Sequence, residues 1–331
     1  VTPSPSADSA TTSAIVSTPE DFVTIGFIGL GRMGGGMALN LARKYGAELV
    51  VHDVVPDATS PCREHGARVA ADLGALAREC DVVFFSLPGP AQVEETVFGP
   101  DGILAHARPG QALFDLSTNS VTLARRVHDA LAERGTSMMD APVSGGPVGA
   151  ASGTLVSWIG GSREVFDANL PVLESFCRPS YVGDIGIGTI TKLAHNMSTY
   201  LIVLSLAETF SVAVKAGADP LELWKALRQG GIGQGSPLDL LVNQFLPGVY
   251  EPPAFALKLA HKDVSLATAL GREVGVPMRL ANLTLEEMTE ALGRGFGDQD
   301  SRSFLKLQLE RAGVEVAVDR EALQAVLDGR S

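Results

Sequence analysis

The chain of 331 residues is poor in basic charge: 26 Lys plus Arg stand against 38 Asp plus Glu, a formal net charge of −12. Adjacent basic residues occur only as the pairs Arg43–Lys44 and Arg125–Arg126. A nucleic-acid partner needs a basic face that displaces counterions, so none is expected. Cysteine is scarce too, with three widely spaced residues (Cys62, Cys80, Cys177) and no CxxC. That excludes a disulfide framework and fits a reducing, cytoplasmic setting. No HxxxH, HxH or clustered carboxylate set has the spacing of metal ligands, so no metal is expected. Uninterrupted apolar runs fall short of the roughly 18 residues a membrane span needs, and no membrane partner is expected. The first Lys or Arg is Arg32, and the first 20 residues hold nine Ser/Thr and three Pro. Secretory signals need a positive start and mitochondrial presequences are Arg-rich, so a disordered leader over 1–20 is the expectation.

What is abundant is apolar material, 45% against 19% charged residues. The length suits two domains at roughly 150 residues each. VTIGFIGLG (23–31), ELVVHD (48–53) and CDVVFFSLP (80–88) read as buried strands. QALFDLS (111–117), SMMDAPV (137–143) and TLVSWIGG (154–161) extend the series. Helical patterns alternate with them, around 68–78, 91–98 and 121–134, as expected of a doubly wound, mostly parallel sheet. Near Gly186 the pattern changes. From Gly188 to Ala216, apolar residues recur in steps of three and four, predicting one helix of about 29 residues, roughly 43 Å long. Helical stretches follow at 220–229, 254–273, 277–293 and 302–312, and SYVG is the one further strand candidate. The expected organisation is an α/β domain over 21–185 and an all-α domain over 186–315, joined by the long helix. A tail over 316–331 admits a helix.

Three groups of residues carry chemistry. Gly29-x-Gly31-x-x-Gly34 lies between a strand and a helix, with Asp53 ending the next strand 24 residues after Gly29. Such glycines permit a tight turn, close approach of a pyrophosphate and close helix packing, while the helix N-terminus offers free N–H groups. Asp53 would bond ribose hydroxyls and repel a 2′-phosphate, so the expected cofactor is NAD rather than NADP. Arg32, Met33, Leu87 and Pro88 complete the candidate cofactor contacts around that loop. Lys192 and Asn196 share one helix face at i, i+4 spacing. Between Asp184 and Glu208, Lys192 is the only charged residue; an isolated lysine among apolar neighbours suits proton transfer if burial lowers its pKa. In DAPVSGGP (140–147), Ser144, Gly145 and Gly146 expose N–H groups suited to an oxygen anion.

Together these segments make the chain resemble the β-hydroxyacid dehydrogenases, which include 3-hydroxyisobutyrate dehydrogenase and tartronate semialdehyde reductase. The resemblance runs from about Val23 to Leu309 through GFIGLGRMGGGMALNLA, SLPGPAQVEETVFGPDGIL, FDLSTNS, DAPVSGGPVGAASGTL, GIGTITKLAHNM, KAGADP and KDVSLA. It implies a Rossmann domain, a helical domain and an active site in the cleft between them. It further implies that Lys192 is catalytic and that Asn196, Ser144, Gly145 and Gly146 bind substrate. Thr118 would lie near the nicotinamide ribose, and Lys262 would close over the cofactor. The implied reaction is reversible NAD-dependent oxidation of a small β-hydroxycarboxylate, or reduction of the semialdehyde, by a homodimer or homotetramer. Departures from the family are Val121 where Pro is frequent, His195 where Asn is frequent, and the bulky Trp158, which reads as core. Two other readings stay open: an imine reductase-like NAD(P)H enzyme, and a non-catalytic NAD-binding relative. Imine reductases typically lack the lysine matched by Lys192.

Overall fold

The computed structural model describes residues 23–328; the expected leader over 1–20 lies outside them. Nine strands form one sheet: β1 (Ile25–Ile28), β2 (Leu49–His52), β3 (Arg68–Val69), β4 (Val82–Phe85), β5 (Ala112–Asp115), β6 (Ser137–Asp140), β7 (Val143–Ser144), β8 (Leu155–Gly160) and β9 (Cys177–Gly183). Their order is β3-β2-β1-β4-β5-β6-β8-β7, with β9 also paired to β8. The run from β3 to β6 is parallel throughout. β8 runs antiparallel to β6 and β7, and β9 runs parallel to β8. Strand order reverses at β1, which opens a crevice at the carboxyl ends of β1 and β4, where such sheets bind ligands.

The apolar runs become strands because both faces of the sheet are covered. Phe27, Phe84, Phe114 and Met139 belong to one buried cluster. Ile28, Phe85, Leu113 and Met138 belong to the other, as the two-residue alternation of a strand requires. Phe84 is the hub of the first. Its ring centroid stands 5.1 Å from that of Phe114, and Phe176 meets it edge-on at 5.4 Å.

Two strands were not expected, and a third, β9, is longer than the SYVG candidate. β3 replaces the start of the helix expected at 68–78; the helix begins at Leu73, where Asp72 accepts a bond from the Ala75 N–H (2.6 Å). β7 lasts two residues and exists through its pairing with β8. β9 extends well beyond SYVG and contains Pro179, which is tolerated because β9 pairs on one side only. A further helix, Gly146–Ser152, follows Ser144 and lies outside the expected helical stretches.

The long helix spans Ile187–Lys215. The chain divides into two compact units between Met197 and Ser198, so about three turns of that helix pack with the sheet. The second unit is helical, with Pro220–Gln229, Leu257–Glu273, Arg279–Gly293 and Leu305–Ala312 matching the expected stretches. A final helix occupies Arg320–Leu327 within the expected tail. Among the described residues its buried apolar cluster is small: Leu257, Met288, Ala291 and Leu307. Glu208 fastens the long helix to its neighbour by accepting bonds from the Leu280 and Ala281 N–H groups. By length and composition the long helix is also apolar enough to cross a membrane, and only 6% of that window is buried. Asn196, Ser198 and Thr199 break up its apolar runs, so no uninterrupted stretch within it reaches the length of a span.

Candidate active site

The first element is the loop between β1 and the helix Gly34–Tyr45. Gly29 has φ +85°, a conformation L side chains rarely adopt, and a Cβ there would stand 2.4 Å from the Ser86 carbonyl oxygen. A Cβ on Gly34 would stand 1.8 Å from the Gly29 carbonyl oxygen. Gly31 differs, since a Cβ there would meet nothing within 4 Å. Protein packing therefore demands two of the glycines, and the third leaves space beside free helix N–H groups. Asp53 braces the loop, accepting from the Leu30 N–H (2.5 Å) and the Val55 N–H (2.7 Å).

A groove of about 720 Å³ runs along this loop, lined by Gly29, Gly31, Arg32, Met33, Gly34, Asp53, Leu87 and Pro88 among others. Every cofactor-binding candidate of the first unit except Thr118 lines it. His52, Gln92, Glu95 and Thr96 also line it and had no signal in the sequence. A second cleft, of about 330 Å³, continues from it and shares Met33, Ser86, Leu87 and Pro88. Its remaining lining includes Thr118, Ser144, Gly145, Gly146 and Lys192. A Cβ on Gly146 would meet nothing within 4 Å, so its backbone is open to the cleft. An open glycine loop, a helix N-terminus and a bracing carboxylate fit a dinucleotide in the first groove.

Lys192 is 9% exposed. Burial pulls its ammonium below the ordinary lysine range, and none of the hydrogen bonds or ion pairs found among the described residues involves it. Asn196 is half-buried one turn on, and its Oδ1 faces His195 Nδ1 at 3.2 Å. Trp158 is not core; it is half-buried, and its ring lies against His195 with centroids 5.0 Å apart. Lys262 belongs to the second unit, where it is exposed and pairs with Asp263 at 2.8 Å.

Two buried carboxylates were not assigned from sequence. Asp115 ends β5, accepting from the Ser117 N–H (2.8 Å) and Asn119 Nδ2 (3.0 Å). Ser117 Oγ in turn accepts from the Leu87 N–H (2.9 Å), so Asp115 organises the turn that bears Thr118. Burial, opposed by these bonds and reinforced by the charge of Asp140, pushes its carboxyl up to about 6. Asp140 ends the adjacent β6, and burial raises its pKa as well. Both stand at the head of motifs quoted above, FDLSTNS and DAPVSGGP, but burial is invisible in a single sequence.

The fold and the groove define a nicotinamide-dinucleotide oxidoreductase with a Rossmann-type domain and a helical domain. Residues 24–186 match the family model described as the NAD binding domain of 6-phosphogluconate dehydrogenase. Residues 186–308 match that described as NAD-binding of NADP-dependent 3-hydroxyisobutyrate dehydrogenase. The chain is 31% identical to 2-(hydroxymethyl)glutarate dehydrogenase of Eubacterium barkeri, over 90% of this chain and 99% of that one. It is 37% identical to 3-hydroxyisobutyrate dehydrogenase of Pseudomonas aeruginosa, over 76% and 86% of the two chains. A solved structure of Mycobacterium tuberculosis 3-hydroxyisobutyrate dehydrogenase with L-serine superposes with a TM-score of 0.58 at 29% identity, covering 86% of this chain and 99% of that one. An imine reductase from Aspergillus terreus shares the fold, with a TM-score of 0.74 at 22% identity over 86% and 99% of the chains. The chain belongs to the β-hydroxyacid dehydrogenase family and is an NAD(P)-dependent oxidoreductase of the 3-hydroxyisobutyrate dehydrogenase type.

Proposed function

We propose that this enzyme uses NAD to oxidise a small β-hydroxycarboxylate reversibly, with Lys192 as the general acid/base. The observation that carries the reading is a buried lysine with a lowered pKa, lining the cleft that continues from the dinucleotide groove. Ser144, Gly145 and Gly146 hold the substrate carboxylate through exposed N–H groups, and Asn196 hydrogen-bonds its hydroxyl. A bound nicotinamide supplies the two-electron acceptor or donor. In oxidation the neutral Lys192 amine takes the hydroxyl proton; in reduction its ammonium returns one. Oxidation therefore rises with pH through the Lys192 pKa, below the ordinary lysine range, and reduction falls through the same limb. Asp53 selects NAD through its charge, and Lys262 is a further cofactor-binding residue.

The test is reduction of NAD and of NADP, followed by absorbance, against 3-hydroxyisobutyrate, L-serine, L-threonate and 2-(hydroxymethyl)glutarate, with a cyclic imine plus NADPH as the contrasting arm. Turnover of a hydroxyacid that falls at least ~10²-fold in Lys192→Ala, the scale of one general acid/base, supports the reading. Near-native turnover by that variant, or activity on the imine alone, overturns it.

The reading extends to a cytoplasmic homo-oligomer. Tyr200, Leu201, Ile202, Val203 and Leu204 are all exposed, more than a full turn, so the long helix shows apolar surface on every side. A second copy of the chain covers it. Light scattering after size exclusion should give a dimer or tetramer; a monomer that sediments with lipid vesicles would assign the helix to a membrane.

A further inference from the structure

Lys192 has to be held in place by something other than its own contacts. Its side chain takes part in none of the hydrogen bonds or ion pairs found among the described residues, so the seating of the helix sets where the amine lies. That seating centres on Asp140. The first N–H groups of a helix have no partner within it, and here Asp140 Oδ1 accepts from the Gly186 N–H (2.8 Å) while Oδ2 accepts from the Thr189 N–H (2.5 Å). The Thr189 hydroxyl bonds the same carboxylate. Asp140 is 46 and 49 residues away in the chain, so this cap is a tertiary contact.

The packing around it leaves no slack. A Cβ on Gly188 would lie 2.4 Å from the Trp158 carbonyl oxygen and 2.6 Å from that of Asp140. A Cβ on Gly160 would lie 2.5 Å from Asp140 Oδ1. The helix start is thus pressed against the ends of β6 and β8, with glycine on both sides of the contact. Lys192 follows Thr189 by three residues, about 4.5 Å along the axis. Asp140 also begins the segment that reaches Ser144, four residues on. One carboxylate therefore ties the helix bearing Lys192 to the strand leading to the proposed carboxylate-binding turn. Asp115 on β5 is the register partner of Asp140, whose charge helps raise the Asp115 pKa.

We infer that Asp140 is a positioning residue for Lys192, fixing the helix register that presents the amine to the substrate hydroxyl. The inference rests on the acid/base reading of Lys192. Asp140→Asn keeps the shape but turns an N–H toward one of the two helix amides, loosening the first turn. Misplacing a catalytic group by a fraction of an ångström is expected to lower kcat at least ~10-fold. The NADH dissociation constant, read by fluorescence, should stay within about twofold, because the glycine loop is untouched.

The deciding experiment is a double-mutant cycle with NAD and 3-hydroxyisobutyrate: wild type, Asp140→Asn, Lys192→Ala and the double variant. If Asp140 acts through Lys192, the double variant is no slower than Lys192→Ala. If Asp140→Asn slows the Lys192→Ala enzyme by the same factor as the wild type, or leaves kcat unchanged, the role is overturned. Near-native turnover by Lys192→Ala would instead remove the acid/base reading itself, and Asp140's role with it. Should Asp140→Asn fail to fold, Thr189→Val takes its place in the cycle. It keeps the N–H bond, and its expected kcat loss is about two- to fivefold; no loss overturns the role.

Discussion

Gly31→Ala separates what the fold needs from what the ligand needs. Its Cβ would meet no protein atom within 4 Å, and Gly31 is absent from the glycines with positive φ. Nothing in the folded chain opposes the methyl group. Removing glycine's freedom from the unfolded state favours folding by about 0.4–1 kcal/mol. The expected change in Tm is therefore zero to a rise of roughly 2–4 °C. The dinucleotide should respond in the opposite sense, because the methyl group enters the space beside the helix N-terminus. Overpacking at a close contact costs about 1–3 kcal/mol, which weakens NADH binding roughly 5- to 150-fold. Gly34→Ala is the control: its Cβ would lie 1.8 Å from the Gly29 carbonyl oxygen, so stability itself should fall. Tm by calorimetry and NADH affinity by fluorescence titration measure the two effects. Wild-type NADH affinity in Gly31→Ala would refute the assignment of this loop to the pyrophosphate.

Two further outcomes follow from the same structure. Asp53→Asn removes a charge while leaving an oxygen for the Leu30 N–H; charge-assisted bonds contribute about 1.5–3 kcal/mol, so the NAD to NADP ratio of kcat/KM should drop by at least ~10-fold, and an unchanged ratio would show that Asp53 does not read the ribose. Asp115 is raised from 3.8 to about 6 in the folded protein. The native state then binds more protons than the unfolded one between those values, so this group's contribution to stability falls as pH rises. Relative to Asp115→Asn, the wild type should lose about 2 kcal/mol between pH ~4.5 and ~7. Urea midpoints at the two pH values test it, and a constant gap counts against a buried, titrating Asp115.

How legible each part was depends on how far apart its partners lie in the chain. β1, β2, β4 and β5 stand out because strands covered on both faces read as short unbroken apolar runs. The long helix was placed within one residue at either end because its apolar steps and the stop at Gly217 are local. β3, β7 and β9 were harder, since each is a strand by virtue of its neighbour. Arg68–Val69 pairs with β2, and Pro179 is admitted only because β9 lies at an edge. Lys192 stands out in the sequence as an isolated cation. Its lack of a charged partner along the helix could be read directly, but its burial could not.

The sequence alone determined the glycine turn, its acidic follower and the order of the main strands and helices, because each is written in spacings of a few residues. It also singled out Lys192 through the uncharged helix around it. The tertiary structure decided which glycine is left open to a ligand and how two grooves share one wall. It also decided why Asp115 and Asp140 matter: both are buried at the ends of neighbouring strands, and the partners of Asp140 come from a helix start 46 and 49 residues away. Burial raises the pKa of both, and it exists only once the sheet has formed.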